Sequence, residues 1–303
     1  MSTTNRKDCY AEITNAIIAD LEKGIRPWVQ PWASGTGRAS RPLRHNGEPY
    51  RGINVLWLWR AASLAGYRNP YWLTFRQAQE LGGHVRRGEK STLVVYAYLY
   101  TKTEDDDARE PEEKRIPFFK AYSVFNAEQI EKLPERFSPR ATPDTKPNFE
   151  NELNPLAVEF FANTGADIRE DNEQAFYSIL EDAVHIPPFR LFEKADRYYS
   201  TLAHELTHWT GHPTRTPRKF PRAADFTPAT YAREELVAEL GAAFLCADLG
   251  VNLTPRPDHV DYIGHWLQVL RNDKRAVVQA AAYAQRATDF LHALQPQAIK
   301  RAA

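Results

Sequence analysis

The feature that most constrains this chain is the segment TLAHELTHWTGH, residues 201–212, which places two histidines four positions apart. Positions i and i+4 of an α-helix lie on one face, so His204 and His208 would direct their imidazoles at a single ion. Zinc accepts neutral imidazole nitrogens as ligands. Glu205 lies about 100° further around such a helix, where it would reach a water on the metal. The pattern predicts a metal-binding helix with a general base; a helix with surface histidines is the alternative.

A third protein ligand is expected, because catalytic zinc sites use three and leave one position for water. The segment 230–249 has the pattern of a largely apolar helix in which Glu235 and Glu239 share one face. Two unpaired carboxylates would be costly to bury, so they need partners. We predict that Glu235 is the third ligand and that Glu239 accepts a hydrogen bond from the second ring nitrogen of His204. Glu234 remains a competing ligand.

Four further residues near these motifs are weaker candidates. Tyr198 and Tyr199 precede the first histidine by one to two turns and would line the cleft or pack in the core. His212 follows the helix and would contact substrate or lie in a plain loop. His185 lies in a strand-like segment, and an edge strand beside the metal would bind an extended peptide by strand addition. With Zn²⁺, or another divalent ion such as Mn²⁺, the expected reaction is peptide-bond hydrolysis, with Glu205 moving the proton.

Charge and tryptophan are distributed unevenly along the 303 residues. Residues 1–100 hold 14 Lys+Arg and 7 Asp+Glu, whereas the remainder holds 25 and 32. Five of the seven tryptophans also lie in the first hundred residues. Such asymmetry predicts two modules with different partners.

The basic and aromatic residues of the first hundred are interleaved, as is typical of proteins that bind single-stranded nucleic acid. Basic groups follow phosphates, and aromatic faces stack on unpaired bases. The strand-like segment 91–100 adds a face with three tyrosines. One alternative to single-strand binding is that the tryptophans lie in the core and the basic residues form a solvated surface. Another is a helix-turn-helix over 53–65 and 74–81, which would read duplex DNA. The predicted DNA-contact residues are Trp28, Trp32, Arg38, Arg41, Arg44, Tyr50, Arg51, Trp72, Arg86, Arg87 and Lys90.

The order of elements predicts an α+β fold with two domains. A mixed α/β nucleic-acid-binding domain is expected over 1–132, a proline-rich linker over 133–154, and a mainly helical domain with a small sheet over 155–303. Apolar periodicity predicts these elements: helices at 8–22, 53–66, 74–82, 155–163, 196–210, 230–249 and 258–294 (one helix or a pair), and strands at 91–100, 116–126, 175–179 and 183–187. Thr74 and Gln77 have the spacing of a capping box at the start of the third helix.

The two cysteines, Cys9 and Cys246, lie far apart and form no disulfide framework, which fits a reducing compartment. The first residues are polar and charged, unlike a secretory signal. No stretch approaches the roughly 18 apolar residues of a membrane span. We therefore expect a soluble cytoplasmic protein with no membrane partner.

Several motifs together resemble the ArdC-type plasmid antirestriction proteins, whose N-terminal region is shared with TraC-type primase-associated proteins. They occur in order over nearly the whole chain: RPWVQPW, GEPYRGINVLWLW and YWLTFRQAQELGGHVRRGEKSTLVVY, then YYSTLAHELTHWTGH and YAREELVAELGAAFL.

The resemblance implies an N-terminal domain that binds single-stranded DNA and a C-terminal zincin-like metallopeptidase domain of the SprT and Spartan type. It also implies protection of incoming plasmid DNA from host restriction during conjugation. His204, Glu205 and His208 match the family motif directly, and Glu235 matches by its place in EELVAE. Spartan-like relatives use a third histidine as a metal ligand, and this sequence has no histidine in an equivalent helix. The alternative function is a non-enzymatic DNA-coating protein or primase accessory with a structural metal domain. The protein substrate is not indicated.

Overall fold

The structure, a computed structural model, describes residues 8–29, 40–104, 112–138, 153–218, 227–254 and 262–296. The predicted α+β class is confirmed, because the described residues combine helices with small sheets whose strand pairs are mostly antiparallel. None of the helices within these ranges is both long enough and apolar enough to cross a membrane.

The first part of the chain forms three helices and six strands among its described residues. Strands β1, β2, β5 and β4 form one sheet in that order, and β3 pairs with β6. A strand, β2, lies between the second and third helices, so the helix-turn-helix alternative is wrong. The bounds are α1 Cys9–Glu22, β1 Leu43–Arg44, α2 Ile53–Ala65, β2 Tyr71–Thr74, α3 Phe75–Glu80, β3 His84–Val85, β4 Thr92–Glu104, β5 Glu112–Asn126 and β6 Ile130–Glu131.

Two local predictions in this part are confirmed. Thr74 and Gln77 form a capping box: the Thr74 hydroxyl accepts from the Gln77 amide at 3.2 Å, and the Gln77 side chain accepts from the Thr74 amide at 2.9 Å. The two predicted strands form an antiparallel hairpin in which Thr92 pairs with Val124. Such features depend on neighbouring residues, which is why the sequence alone predicts them.

The second part is mainly helical, and its small sheet has the order β7-β9-β8. The long helix α6 packs against α5, α7 and α8. The predicted C-terminal helical region is a pair of helices. The bounds are α4 Pro155–Ala162, β7 Asp167–Arg169, β8 Phe176–Ser178, β9 Ala183–His185, α5 Ala195–Thr210, α6 Pro228–Leu249, α7 Tyr262–Asn272 and α8 Ala276–Ala293.

The compact units of the fold combine residues from distant parts of the chain. One unit comprises the described residues of 1–42, 49–68 and 140–303, and the other those of 43–48 and 69–139. The reason is packing: α1 lies on α7 and α2 on α8. Trp59 meets Phe244 edge to face at 6.1 Å, and Arg41 forms a buried ion pair with Asp248 at 2.7 Å. Most of the predicted linker, residues 139–152, lies outside the described residues, so the predicted three-segment division stays a prediction.

Helices α5 and α6 approach closely because α6 has a glycine at the crossing. A Cβ on Gly241 would lie 2.5 Å from both Cγ2 and Oγ1 of Thr207. Thr207 is fully buried, and its hydroxyl donates to the Ala203 carbonyl at 2.8 Å. The side chain therefore has little room to move, and the close approach depends on the missing Cβ.

We expect Gly241→Ala to lower the free energy of unfolding by about 1–3 kcal/mol, because the added methyl overpacks the α5–α6 contact. The matched control is Gly264→Ala on the exposed side of α7, where an added Cβ meets no atom within 4 Å. That change should raise stability by up to about 1 kcal/mol through helix propensity. Urea denaturation followed by circular dichroism measures both. Equal effects of the two substitutions would contradict the close approach.

Candidate metal centre

The first two candidate ligands lie on α5, which is buried along most of its length. Helix α5 ends at Thr210, and the Gly211 amide donates to the His208 carbonyl at 2.8 Å. The side chains of His204 and His208 are 3% and 15% exposed, and Glu205 is 2% exposed. The predicted helix thus turns both imidazoles inwards, towards α6, and the alternative of surface histidines is wrong.

Three side chains converge where α5 crosses α6. The Nε2 atoms of His204 and His208 lie 3.2 Å apart. The Nε2 atom of His204 lies 3.4 Å from Oε2 of Glu235, and that of His208 lies 3.4 Å from Oε1 of the same carboxylate. Ligands of a tetrahedral ion with bonds of about 2.0–2.1 Å are separated by about 3.3–3.4 Å. The spacing therefore fits a metal such as zinc. Among the described residues, this is the one group of three or more candidate ligands that could hold an ion.

The two neighbouring glutamates of α6 face different atoms of His208. Glu235 faces its Nε2, whereas the Oε1 atom of Glu234 lies 2.9 Å from its Nδ1. Arg218 places Nη1 3.7 Å from the same oxygen of Glu234. The geometry thus gives the two carboxylates different positions: Glu235 lies at the convergence point, and Glu234 on the far side of the ring.

Glu239 lies on the far side of the other histidine. Its Oε1 atom is 4.0 Å from Nδ1 of His204, which is too long for the predicted hydrogen bond. Its Oε2 atom accepts a hydrogen bond from Nε1 of Trp28 at 3.1 Å. No sequence pattern indicated this contact, because 211 positions separate the two residues.

The convergent groups perturb one another strongly. Burial lowers the pKa of His208, but the carboxylates of Glu235 and Glu234 outweigh burial and raise it to about 10. For Glu235, burial favours the neutral form, yet the two histidines outweigh burial and hold its pKa well below the usual range. The centre thus stabilises a positive charge between carboxylates, and a metal ion would replace a proton there.

A cavity of about 420 Å³ lies beside Glu234, between α6 and α8. Arg218, Arg233 and Arg286 line it, against the single carboxylate of Glu234 among the described lining residues. Burial lowers the pKa of the Arg218 guanidinium, Glu234 opposes this effect, and nearby Arg286 adds to it. The excess of positive side chains in the lining would favour an anionic ligand in this cavity over a cationic one. Arg218 follows the metal-site helix in sequence, but no spacing rule identified it.

The prediction for His185 is wrong, because β9 is the central strand of its sheet rather than an edge. The ring is stacked on Phe176 at 4.7 Å. Its Nδ1 lies 2.8 Å from Asp171, and this hydrogen bond raises the pKa of His185. His185 therefore belongs to a small charged cluster on the sheet.

The structure supports the core alternative for the two tyrosines and leaves His212 in a loop. The Tyr198 hydroxyl donates to Glu170 at 3.0 Å, and Tyr199, which is 2% exposed, stacks on Phe161. Both tyrosines therefore pack in the core rather than line a cleft. Nδ1 of His212 lies 2.8 Å from the hydroxyl of Thr214.

Four of the predicted DNA-contact residues are buried. Trp28 and Trp72 are 1% exposed, Tyr50 is 3% and Arg41 is 5%. Aromatic groups in the interior offer no face to a base, and the guanidinium of Arg41 is held by Asp248. The prediction is wrong for these four, because composition does not separate core tryptophans from stacking ones.

Five of the remaining predicted contacts are described by the structure, and all five are at or near the surface. Arg86, Arg87 and Lys90 are exposed in the turn that follows β3. Trp32 and Arg38 lie outside the described residues. Arg44 and Arg51 are partly or fully exposed and form ion pairs with Glu48 and Asp289.

Positive and aromatic side chains alternate on the sheet of the smaller unit. We call the following four residues the cation–aromatic row: Arg44, Tyr96, Tyr122 and Lys120. The Arg44 guanidinium lies 5.4 Å from the Tyr96 ring, and the Lys120 amine lies 4.9 Å from the Tyr122 ring. The two tyrosine rings meet edge to face at 5.5 Å. Tyr122 and Lys120 were not predicted, although the alternation of β5 places both on one face.

Comparison with known proteins gives matches to both parts of the chain. Residues 7–125 match the N-terminal domain of anti-restriction factor ArdC, and residues 155–283 match a zincin-like metallopeptidase family. An uncharacterized protein of Sinorhizobium fredii, y4eC, is 38% identical, with 96% of this chain and 94% of that protein covered. DNA primase TraC of Escherichia coli is 34% identical over 97% of this chain, which spans 28% of TraC.

Two solved structures are also similar, both of the antirestriction ArdC protein from the R388 plasmid. The metal-free structure has a TM-score of 0.79 at 43% identity, covering 95% of this chain and 97% of that chain. The Mn(II)-bound structure has a TM-score of 0.78 at 42% identity, covering 95% and 98%. The chain therefore belongs to the ArdC family of antirestriction proteins, with an ArdC-type N-terminal region and a zincin-like metallopeptidase domain.

Proposed function

We propose that the chain is a metal-dependent peptidase in which His204, His208 and Glu235 hold a divalent ion. The observation that carries the proposal is the spacing of 3.2, 3.4 and 3.4 Å among their ligand atoms. Two imidazoles and one carboxylate form a ligand set that suits zinc and that manganese also accepts. The Mn(II)-bound relative supports a divalent ion in this fold.

The reaction that this arrangement supports is hydrolysis of a peptide bond. When bound, the ion would supply Lewis acidity towards water and the substrate carbonyl. Glu205 would accept the proton of the attacking water and return it to the leaving amine. Glu234 holds the ring of His208 through Nδ1, which fixes the tautomer with Nε2 directed at the convergence point.

We further propose that the smaller unit binds single-stranded DNA through the cation–aromatic row and the exposed turn with Arg86, Arg87 and Lys90. Stacking on tyrosine tolerates any base, and the cations follow the backbone. The half-buried tyrosine rings beside exposed Lys120 support this proposal.

In the cell we propose a cytoplasmic antirestriction role that protects transferred DNA during conjugation. The name of the R388 relative, an antirestriction protein of a plasmid, supports the antirestriction part of this proposal. The alternative is a DNA-coating protein or primase accessory with a structural metal domain, which the TraC resemblance favours. The two differ in whether proteolysis is needed for protection.

Separate substitutions of Glu235 and Glu234 test which glutamate binds the ion and which only contacts the ligand His208. Glu235→Ala should abolish stoichiometric zinc binding, because it removes one of three ligands. Glu234→Ala should retain the ion but weaken its affinity by about 10- to 100-fold, through loss of the carboxylate at His208 Nδ1. Competition with a chromophoric chelator and elemental analysis measure both. Stoichiometric, tight zinc in Glu235→Ala would refute the ligand set.

Glu205→Gln should lower peptide hydrolysis by about 10²- to 10⁴-fold while zinc content stays unchanged, because the amide cannot accept the proton. The measurement is mass spectrometry of new N-termini in a mixture of unstructured peptides incubated with metal-loaded protein. Antirestriction by the same variant in conjugation then tests the alternative. Equal cleavage by wild type and variant would contradict the role of Glu205, and full protection by the variant would favour the DNA-coating function.

Tyr96→Ala and Tyr122→Ala should each weaken binding of single-stranded DNA by about 5- to 150-fold, corresponding to about 1–3 kcal/mol of lost stacking. The matched control is Tyr231→Ala, an equally simple truncation of a partly exposed tyrosine on α6. Fluorescence anisotropy with a labelled oligonucleotide, at several salt concentrations, measures affinity. If the control loses as much affinity as the row variants, the row is not the binding surface.

A further inference from the structure

One contact of the metal centre comes from the opposite end of the chain. Trp28 lies within the segment that matches the ArdC N-terminal domain, 7–125, and outside the zincin-like match, 155–283. Its indole Nε1 donates to Oε2 of Glu239 at 3.1 Å, and both residues are buried. The hydrogen bond therefore joins the N-terminal region to the helix that carries the candidate ligand Glu235.

The carboxylate of Glu239 lies between the indole and a candidate ligand. Its Oε2 atom faces Trp28, and its Oε1 atom lies 4.0 Å from Nδ1 of His204. On the other side of that ring, Nε2 lies 3.4 Å from Glu235. The indole, the Glu239 carboxylate and the His204 ring thus lie in series from the N-terminal region to the convergence point. The step from Glu239 to His204, at 4.0 Å, is an electrostatic contact and not a hydrogen bond.

The indole is well suited to hold this carboxylate. An indole N–H donates but does not accept, and it carries no charge that would compete with the histidine for Glu239. The ring is itself fixed, because Trp28 meets the fully buried Trp266 edge to face at 5.6 Å. A fixed donor on one oxygen limits rotation of the carboxylate and keeps the other oxygen directed at His204.

We propose that Trp28 is a positioning residue of the metal centre, acting on His204 through Glu239. The zincin-like domain is then incomplete without a residue of the N-terminal region. Outer carboxylates of this kind orient ligating histidines and increase their basicity, so the first measurable consequence is metal affinity. This inference rests on the proposed ligand set of His204, His208 and Glu235.

The experiment uses the full-length chain with Trp28→Phe, which removes the N–H donor and retains an aromatic ring against Trp266. The matched control is Trp59→Phe: Trp59 is 2% exposed, against 1% for Trp28, and it also donates its indole N–H, to the Ser40 carbonyl at 3.0 Å. Zinc affinity is measured by competition with a chromophoric chelator, and thermal unfolding of the metal-free proteins reports general stability.

We expect Trp28→Phe to weaken zinc binding by about 10- to 100-fold, and Trp59→Phe to leave it within about twofold of wild type. Both variants lose one hydrogen bond donated by a buried indole, so their metal-free unfolding temperatures should fall by similar amounts. An unchanged zinc affinity in Trp28→Phe, or an equal loss in both variants, overturns the inference.

A second pair of variants separates positioning from general packing. In a Glu239→Ala background the indole has no carboxylate to hold, so adding Trp28→Phe should cause no further loss of zinc affinity. Losses that add in the double variant overturn the inference. If wild type itself binds no stoichiometric zinc, the proposed ligand set fails together with this inference. Tight binding by wild type with an unchanged Trp28→Phe refutes the role of Trp28 alone.

Discussion

The structure depends above all on the close packing of α5 against α6 at Gly241. That contact brings two imidazoles of one helix against the carboxylates of the other, with their ligand atoms 3.2–3.4 Å apart. Buried carboxylates are tolerated only with positive partners, because an unpaired buried charge is costly. Here the partners are the two histidines, Arg218 beside Glu234, and the indole N–H on Glu239. The helix crossing and the charge balance therefore support each other.

The same charge balance determines how the centre responds to protons. Without an ion, the carboxylates of Glu235 and Glu234 raise the pKa of His208 to about 10, so a proton occupies the ring at neutral pH. A metal requires the neutral imidazole, and its binding must release that proton. Apparent metal affinity consequently rises with pH up to that pKa.

The sequence predicted those parts of the site that depend on spacing along one helix. His204, Glu205 and His208 follow from helical periodicity, and Gln77 follows from its position after Thr74. The sequence left Glu234 and Glu235 as alternative ligands. Which of the two faces the histidines depends on how α6 is rotated about its axis relative to α5, and the sequence does not show that rotation. It misplaced Trp28, Tyr50, Trp72 and Arg41, because composition does not show which aromatic groups are buried. The two-residue strands β1 and β3 are defined by their hydrogen bonds to partner strands that are distant in sequence, so no local pattern indicated them.

The burial of Trp28 changes what the N-terminal region contributes. Its match to the ArdC domain covers 7–125, yet the fold assigns residues of this region to both compact units. The cation–aromatic row belongs to one unit, and Trp28, α1 and α2 belong to the unit with the metal centre. TraC, a much longer protein, matches 97% of this chain with 28% of its own length, so both regions occur together there as well. The proposed role of Trp28 at the metal centre would give a physical reason for that joint occurrence.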